Sequence, residues 1–199
     1  YAIYSFVLSH ELAYAVSEYP DRDFKYHGAL HSNGNVGFQG QKQPTAYWGN
    51  NHGSIECVRG EYYIFGHRQT NGTECSRQGI AEKLKRNTDG SFEMAEMTSG
   101  DIGGVLPAKG EYEAAIACVL MEKNGAVKST LGPEKREEHP YFSQDGQDRE
   151  ECPAQYIANF SDGCIAGYKY FALTNPVMPI TLVFRPHIQK TGKGILTLA

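Results

Sequence analysis

Three short polar clusters in the window 49–79 contain the side chains best suited to binding or catalysis. They are the segment 49–54 (GNNHGS), the pair His67 and Arg68, and the segment 76–79 (SRQG). A neutral imidazole such as that of His52 can bind a metal ion or hydrogen-bond a ligand. The guanidinium of Arg77 offers five donors in a fixed geometry, which suits planar or multi-hydroxyl ligands. The clusters therefore predict a ligand-binding site.

A simpler role is open to each of the two main candidates. His52 is also compatible with a loop histidine that caps a turn, because small and amide residues surround it. Arg77 is also compatible with a surface ion pair to Glu74 or Glu82. These alternatives stay open at the level of sequence.

Runs of β-branched and aromatic residues separate the polar clusters. The runs 54–58 and 62–67 have the length of strands and flank the turn-like pair 59–60. The polar residues therefore lie at strand ends or in loops, where a rigid scaffold presents them to a ligand. His67 and Arg68 are neighbours on one strand, so only one of them can face a given cleft.

Periodicity predicts an all-β protein, since helical spacing is weak throughout. The other predicted strands are 2–8, 12–17, 24–31, 77–86, 92–97, 112–121, 155–160, 165–173, 180–185 and 194–198. The earlier strands form two groups that are typical of the antiparallel meanders of propeller blades. A Gly-rich loop over 32–51 separates these groups, and loops of this length are usually functional.

The composition changes after residue 123, where Lys, Glu, Gly, Pro and Asp become frequent. We therefore expect propeller blades over 1–123, a linker and the start of a sandwich over 124–151, and a partial β-sandwich over 152–199. The chain opens on a strand pattern without Met and stops directly after another. The sequence is thus expected to be a fragment of a longer protein.

Charge, hydropathy and cysteine content indicate which partners and which cellular location to expect. The net charge is -4 and no basic block is present, which argues against a nucleic-acid partner. No apolar run approaches the ~20 residues of a membrane span, so no membrane partner is expected. The cysteines are an odd number without a C-x-x-C pair, which predicts buried free thiols and favours a cytoplasmic location. They are Cys57, Cys75, Cys118, Cys152 and Cys164.

The polar clusters and their strands together resemble one known family. The segments 49–55 (GNNHGSI), 63–70 (YIFGHRQT) and 76–79 (SRQG) resemble the C-terminal half of the five-bladed β-propeller of glycoside hydrolase family 43, the β-xylosidase and α-L-arabinofuranosidase group. The segments 140–149 (PYFSQDGQDR) and 166–171 (AGYKYF) resemble the start of a β-sandwich similar to a family 6 carbohydrate-binding module. The implied fold is about two propeller blades followed by an incomplete β-sandwich.

The resemblance implies a parent protein that hydrolyses xylosides or arabinofuranosides of plant cell-wall oligosaccharides by an inverting mechanism. In the family, an Asp base, a second Asp that tunes the acid, and a Glu acid perform this chemistry. The resemblance places all three before Tyr1, so no catalytic residue is expected in this chain. A xylo- or arabino-oligosaccharide is the implied ligand. The alternatives are a non-catalytic carbohydrate-binding propeller and a propeller that serves as a protein-interaction scaffold.

Two residues match binding positions of the family. Arg77 matches the arginine that grips the sugar in the -1 subsite. His52 matches a histidine near the propeller axis that in many members helps to hold a calcium ion through water. The resemblance thus implies sugar binding by Arg77 and His52, and a calcium role for His52. Departures from the family pattern at Phe6, Gly66 and Lys83 leave the fine substrate preference open.

Overall fold

The computed structural model describes residues 1–5, 10–73, 75–126, 139–146 and 153–185, and its regular elements are strands joined by loops and short 3-10 turns. The strands are β1 (Ala2–Ser5), β2 (Glu11–Val16), β3 (Lys25–Ser32), β4 (Ser54–Val58), β5 (Glu61–Gln69), β6 (Arg77–Leu84), β7 (Leu106–Pro107), β8 (Val119–Met121), β9 (Tyr141–Gln144), β10 (Gln155–Ala158), β11 (Ile165–Gly167) and β12 (Phe171–Ala172). The all-β prediction is confirmed. No helix among these residues is long and apolar enough to cross a membrane.

Two three-stranded antiparallel sheets make up the first half of the chain. One has the order β1-β2-β3 and the other the order β4-β5-β6. Both agree with the expected meanders, because successive strands pair antiparallel and their residues alternate between two faces. In the second sheet, Gln69 lies opposite Arg77 and Arg68 lies opposite Gln78. This register decides which side chains of β5 and β6 share a face.

One apolar core joins the two sheets. Its buried members come from β2, β3, β5, β6 and the segment that follows: Leu12, Tyr14, Leu30, Ile64, Leu84, Phe92 and Ala95. Tyr14 is fully buried, and its hydroxyl accepts a hydrogen bond of 2.8 Å from the backbone N–H of Phe92. The phenol is thereby satisfied inside the core, so the largest buried side chain carries no unpaired polar atom.

Strands beyond the expected linker pair with strands that precede it. β11 pairs antiparallel with β8, and β12 pairs parallel with β7. β9 and β10 form an antiparallel pair of their own, which we call the C-terminal hairpin. Phe142 of this hairpin packs in a second core with Ala115, Ala117 and Leu120. Residues on either side of the expected linker are therefore joined by both backbone pairing and apolar packing.

Several strand predictions were wrong or too long. The predicted strand 165–173 is divided into β11 and β12. Within 92–97, only Phe92 makes a β-bridge, because the later amides bond to scattered partners such as the carbonyl of Leu30 and the side chain of Asn35. The segment 112–121 is strand only over β8 and contains a 3-10 turn at Ala114–Ile116. No strand forms over 180–185. The strand predicted at 194–198, and most of the predicted linker, lie outside the described residues.

The cysteines depart in part from the expectation of buried thiols. Cys57, Cys75, Cys118 and Cys164 are free, but the first two are exposed and only Cys118 is buried. Cys57 lies on β4, a strand with an exposed surface, so the apolar neighbours that suggested burial do not cover it. Cys152 lies outside the described residues.

Candidate functional site

Six polar residues meet where β5 ends and β6 begins. We call them the histidine–arginine cluster: Asn50, Asn51, His52, His67, Gln69 and Arg77. His67 and Gln69 share one face of β5, since they are two residues apart. Arg77 lies opposite Gln69 on β6. The loop before β4 supplies the other three, so the structure brings both predicted binding residues, His52 and Arg77, to one end of the sheet.

Two glycines let the loop before β4 lie directly against β5. A Cβ atom at Gly53 would overlap the backbone carbonyl oxygen of Phe65. A Cβ atom at Gly66 would lie 2.9 Å from the side-chain oxygen of Asn51, which is closer than such atoms normally approach. The absence of both side chains therefore allows the close approach that seats Asn51 and His52.

The buried side chain of Asn51 ties the loop to β3 and β5. Its Oδ1 accepts a 3.1 Å hydrogen bond from the backbone N–H of His67, and its Nδ2 lies 3.3 Å from Nδ1 of His31. Since Nδ2 can only donate, Nδ1 of His31 must accept and the proton of the neutral ring sits on Nε2. Burial lowers the pKa of His31 to about 4. A second proton, on Nδ1 of His31, would also place two hydrogen-bond donors against each other, because Nδ2 of Asn51 can only donate.

Acid is therefore expected to destabilise the fold through His31. The unfolded imidazole binds a proton below about pH 6.5, whereas the folded one does so only near pH 4. Stability from this residue is complete above pH 6.5 and falls as the pH drops toward 4, by on the order of 3 kcal/mol. Urea unfolding at pH 7 and pH 4.5 measures the loss. We expect a smaller loss in His31→Gln, whose amide oxygen can still accept from Asn51.

His27 offers a matched control for this experiment, because it is exposed. His27→Gln is expected to leave the acid-induced loss of stability unchanged. An equal loss in His31→Gln and in the unmodified protein would contradict the assignment to His31.

The two histidines of the cluster are in direct contact. Nε2 of His67 and Nδ1 of His52 are hydrogen-bonded, and the two rings meet edge to face with centroids 4.3 Å apart. The pKa of His67 is lowered to about 4, mainly by burial and to a smaller extent by His52 and Arg77. His67 is therefore neutral at physiological pH and can hold His52 by a single shared hydrogen bond. Arg77 lies opposite Gln69, on the face of the sheet that also carries His67, which agrees with its electrostatic effect on that residue.

The guanidinium of Arg77 is exposed and has few partners among the described residues. Its Nη2 lies 3.5 Å from Oδ1 of Asn50. The ion pair with Glu82 that the sequence allowed is not formed, because that residue faces the other side of β6 and accepts hydrogen bonds from Thr98. Glu74 lies outside the described residues. Most donors of Arg77 are thus available to a ligand.

Gln69 holds Asn50 in place by two hydrogen bonds. Its Nε2 donates to the backbone oxygen of Asn50 at 2.7 Å and to Oδ1 of the same residue at 2.8 Å. Gln69 is 2% exposed, whereas Asn50 is only partly buried. The buried amide thus fixes the one side chain that contacts Arg77. Sequence reasoning missed Gln69 and Asn51, since a single amide in a strand or loop carries no signal of its partner.

Arg68 points into the opposite face, as strand alternation requires. Its Nη1 donates to the carbonyl of Ala117 at 2.6 Å, Nη2 to the carbonyl of Ala115, and Nε to Gln78 at 2.8 Å. The guanidinium carbon also lies 3.6 Å from the ring centroid of Phe142. Burial lowers the pKa of Arg68 to about 10, so it stays charged near neutral pH. Its donors are used internally, which makes it a structural residue.

The carboxylates of Asp21, Asp23, Glu56 and Glu82 lie outside the cluster. Asp21, Asp23 and Glu56 are exposed in a turn or on β4. Glu82 is buried and its pKa is raised to about 7 by burial, but it lies on the face away from Arg77. No group of three or more His, Cys, Asp or Glu able to hold a metal ion occurs among the described residues. The cluster thus presents imidazoles, amides and one guanidinium, which can hydrogen-bond to hydroxyl groups, and it contains no carboxylate.

Comparison with known proteins identifies a homologue of the chain. No family model matches it. A curated xylosidase/arabinosidase from Thermoclostridium stercorarium is 48% identical over 176 residues, which cover 86% of this chain. The chain is a homologue of this xylosidase/arabinosidase. The resemblance predicted from the sequence is confirmed, and the matched part spans 37% of that relative's length.

Solved structures of family 43 enzymes resemble parts of the chain. A β-xylosidase/α-arabinofuranosidase from a compost microbial metagenome, in complex with xylotriose and in a calcium-free form, is 28% identical, with a TM-score of 0.37 over 46% of this chain and 25% of its own. An arabinoxylan arabinofuranohydrolase from Bacillus subtilis, in complex with cellotetraose, is 23% identical, with a TM-score of 0.38 over 62% of this chain and 26% of its own.

Proposed function

We propose that the whole protein is a glycoside hydrolase that cleaves xylosides or arabinofuranosides of plant cell-wall oligosaccharides with inversion, and that this chain supplies part of its sugar-binding site. The observation that carries the proposal is the exposed Arg77 beside the His52 and His67 pair, in a homologue of a xylosidase/arabinosidase. A xylo- or arabino-oligosaccharide presents the vicinal hydroxyls that such a cluster recognises.

Arg77 is the main sugar contact in this proposal. Among the described residues its guanidinium has a single weak contact, so several N–H donors can reach the hydroxyls of one sugar ring. His52, held by His67, offers its remaining ring nitrogen Nε2 to the same ligand. Neutral imidazole and charged guanidinium together recognise both acceptor and donor hydroxyls.

The acid and the base of the reaction lie elsewhere in the whole protein. Inversion needs two carboxyl groups about 6.5–9.5 Å apart on either side of the glycosidic bond. The histidine–arginine cluster contains none, and Glu82 faces away from it. The role of this chain is therefore to bind and orient the sugar.

The proposal predicts turnover and a defined product stereochemistry. The whole protein is assayed on an aryl β-xyloside and an aryl α-L-arabinofuranoside, and proton NMR records which anomer of the free sugar appears first. We expect hydrolysis of at least one substrate, with the anomer opposite to that of the substrate formed first. Retention would reject the inverting mechanism. Xylotriose binding without any turnover would favour the non-catalytic carbohydrate-binding propeller.

A calcium role for His52 is a further part of the proposal. Calcium takes six to eight oxygen ligands, and the described residues around His52 supply no such set. His52 fits a hydrated ion only, with Nε2 accepting from an ion-bound water, because His67 occupies Nδ1. We expect chelation to lower the melting temperature or activity of the whole protein and added calcium to restore it. Unchanged values after chelation would remove the calcium role.

A further inference from the structure

We propose that the C-terminal hairpin is a positioning element for Arg77, so that residues far along the chain tune sugar binding. The inference rests on the proposed role of Arg77 as a sugar contact. It concerns a different part of the protein, because β9 lies within the expected segment 124–151 and β10 within 152–199, both far from Arg77 in the sequence. Its basis is a set of hydrogen bonds that reach both chain neighbours of Arg77.

The turn between β5 and β6 is closed by hydrogen bonds at Ser76, the residue before Arg77. The backbone N–H of Thr70 donates to the carbonyl of Ser76 at 2.9 Å, and the two hydroxyls are 2.7 Å apart. Nδ2 of Asn71 donates to the Ser76 hydroxyl at 2.9 Å. Thr70 and Asn71 therefore fix the position of Ser76, the residue that directly precedes Arg77 in the chain.

The hairpin holds Asn71 at two points. The backbone N–H of Asn71 donates to the carbonyl of Phe142 at 2.8 Å, and the hydroxyl of Ser143 donates to Oδ1 of Asn71 at 2.7 Å. Asn71 has a positive φ of 54°, a conformation that Asn tolerates better than most residues. Its amide thus bridges Ser143 on one side and Ser76 on the other.

The residue after Arg77 is tied to the same hairpin. Nε2 of Gln78 donates to Oε1 of Gln155 on β10 at 2.9 Å. Oε1 of Gln78 accepts from Arg68, whose guanidinium covers the ring of Phe142 on β9. Both flanks of Arg77 are therefore fixed by side chains that the hairpin holds.

Arg77 depends on these flanks because its own side chain is weakly held. Its contact to Asn50 is 3.5 Å long, and its guanidinium is exposed. A misplacement of about 1 Å at a substrate-orienting group can cost up to a hundredfold in rate. Ser143 and Gln155 are thus positioning residues, which act through the backbone on either side of Arg77.

The test removes the two side-chain contacts of the hairpin, from Ser143 and from Gln155, in the whole protein. In Ser143→Ala/Gln155→Ala we expect hydrogen exchange of the amides in 70–77 to become faster and kcat/KM toward the aryl glycoside to fall on the order of tenfold. Ser143→Thr keeps the hydroxyl, so Ser143→Thr alone should retain normal exchange and activity. Ser161→Ala is the matched control, since that exposed hydroxyl belongs to the same segment but contacts Cys164.

The same double substitution in an Arg77→Ala background separates positioning from a general effect. Because the hairpin acts through Arg77, the double substitution should cause little further loss of kcat/KM there. Unchanged exchange in 70–77, or an equal loss of activity in both backgrounds, would overturn the inference. If Arg77→Ala alone left sugar turnover unchanged, the proposed function of Arg77 would fail, and faster exchange would no longer support a role in sugar binding.

Discussion

Arg77→Ala is expected to lower kcat/KM of the whole protein toward its aryl glycoside by on the order of a hundredfold, or about 2.7 kcal/mol of transition-state stabilisation. The guanidinium is exposed on the face of the sheet that carries His67, and among the described residues it has only a 3.5 Å contact to Asn50, so its donors can reach sugar hydroxyls. Initial-rate kinetics of purified variants measure the effect. Thermal melting of the same samples checks that the fold is intact.

Two further variants show whether the effect belongs to the guanidinium. Arg77→Lys keeps the charge but loses the fixed fork of donors, so it should recover only part of the activity. Arg59→Ala removes another exposed arginine, at the opposite end of β5, and should leave kcat/KM unchanged. A loss below threefold in Arg77→Ala would mean that this residue does not bind the sugar.

Arg68→Met is expected to lower the free energy of unfolding by about 3 kcal/mol or more. The substitution keeps an apolar side chain but leaves the buried carbonyls of Ala115 and Ala117 without donors, each of which costs about 1–3 kcal/mol. It also removes the stacking of the guanidinium on Phe142. For a chain of this size, we expect the melting temperature to fall by roughly 6–12 °C.

Exposed and conservative substitutions provide the comparison for Arg68. Arg22→Ala removes an arginine whose side chain is 57% exposed, and its effect should stay within about 0.5 kcal/mol. In Arg68→Lys, the ammonium group cannot bond to both carbonyls and Gln78 together. The stability of this variant should therefore lie between that of the unmodified protein and that of Arg68→Met. A loss below about 1 kcal/mol in Arg68→Met would show that water satisfies the freed carbonyls.

The elements that depend on local sequence could be predicted. β4 was expected over 54–58 and is found at Ser54–Val58, because its β-branched residues end at a turn. That turn places Arg59 and Gly60 at positive φ, which favours a tight hairpin. The polar clusters at strand ends were predicted for the same reason, since they interrupt the apolar runs. His52 and Arg77 consequently come together as the sequence suggested.

The contacts that depend on distant partners could not be predicted. The 92–97 segment has a strand-like pattern, yet it lacks a continuous neighbouring strand and bonds to isolated groups. The interior role of Arg68 depends on the carbonyls of Ala115 and Ala117, which a 3-10 turn presents. Asn51 meets His31 only after the loop folds back on β5. Local sequence patterns do not predict these contacts, because the contacts arise from tertiary packing.

The pairing of β8 with β11 and of β7 with β12 has a consequence for synthesis on the ribosome. Val119–Met121 leaves the ribosome before its partner Ile165–Gly167 has been made. At about 5–20 residues per second, the earlier strand waits for seconds with an unpaired edge. Such edges attract other chains. We therefore expect chaperones to bind this protein mainly as a nascent chain in which the earlier strand has been made and its partner has not.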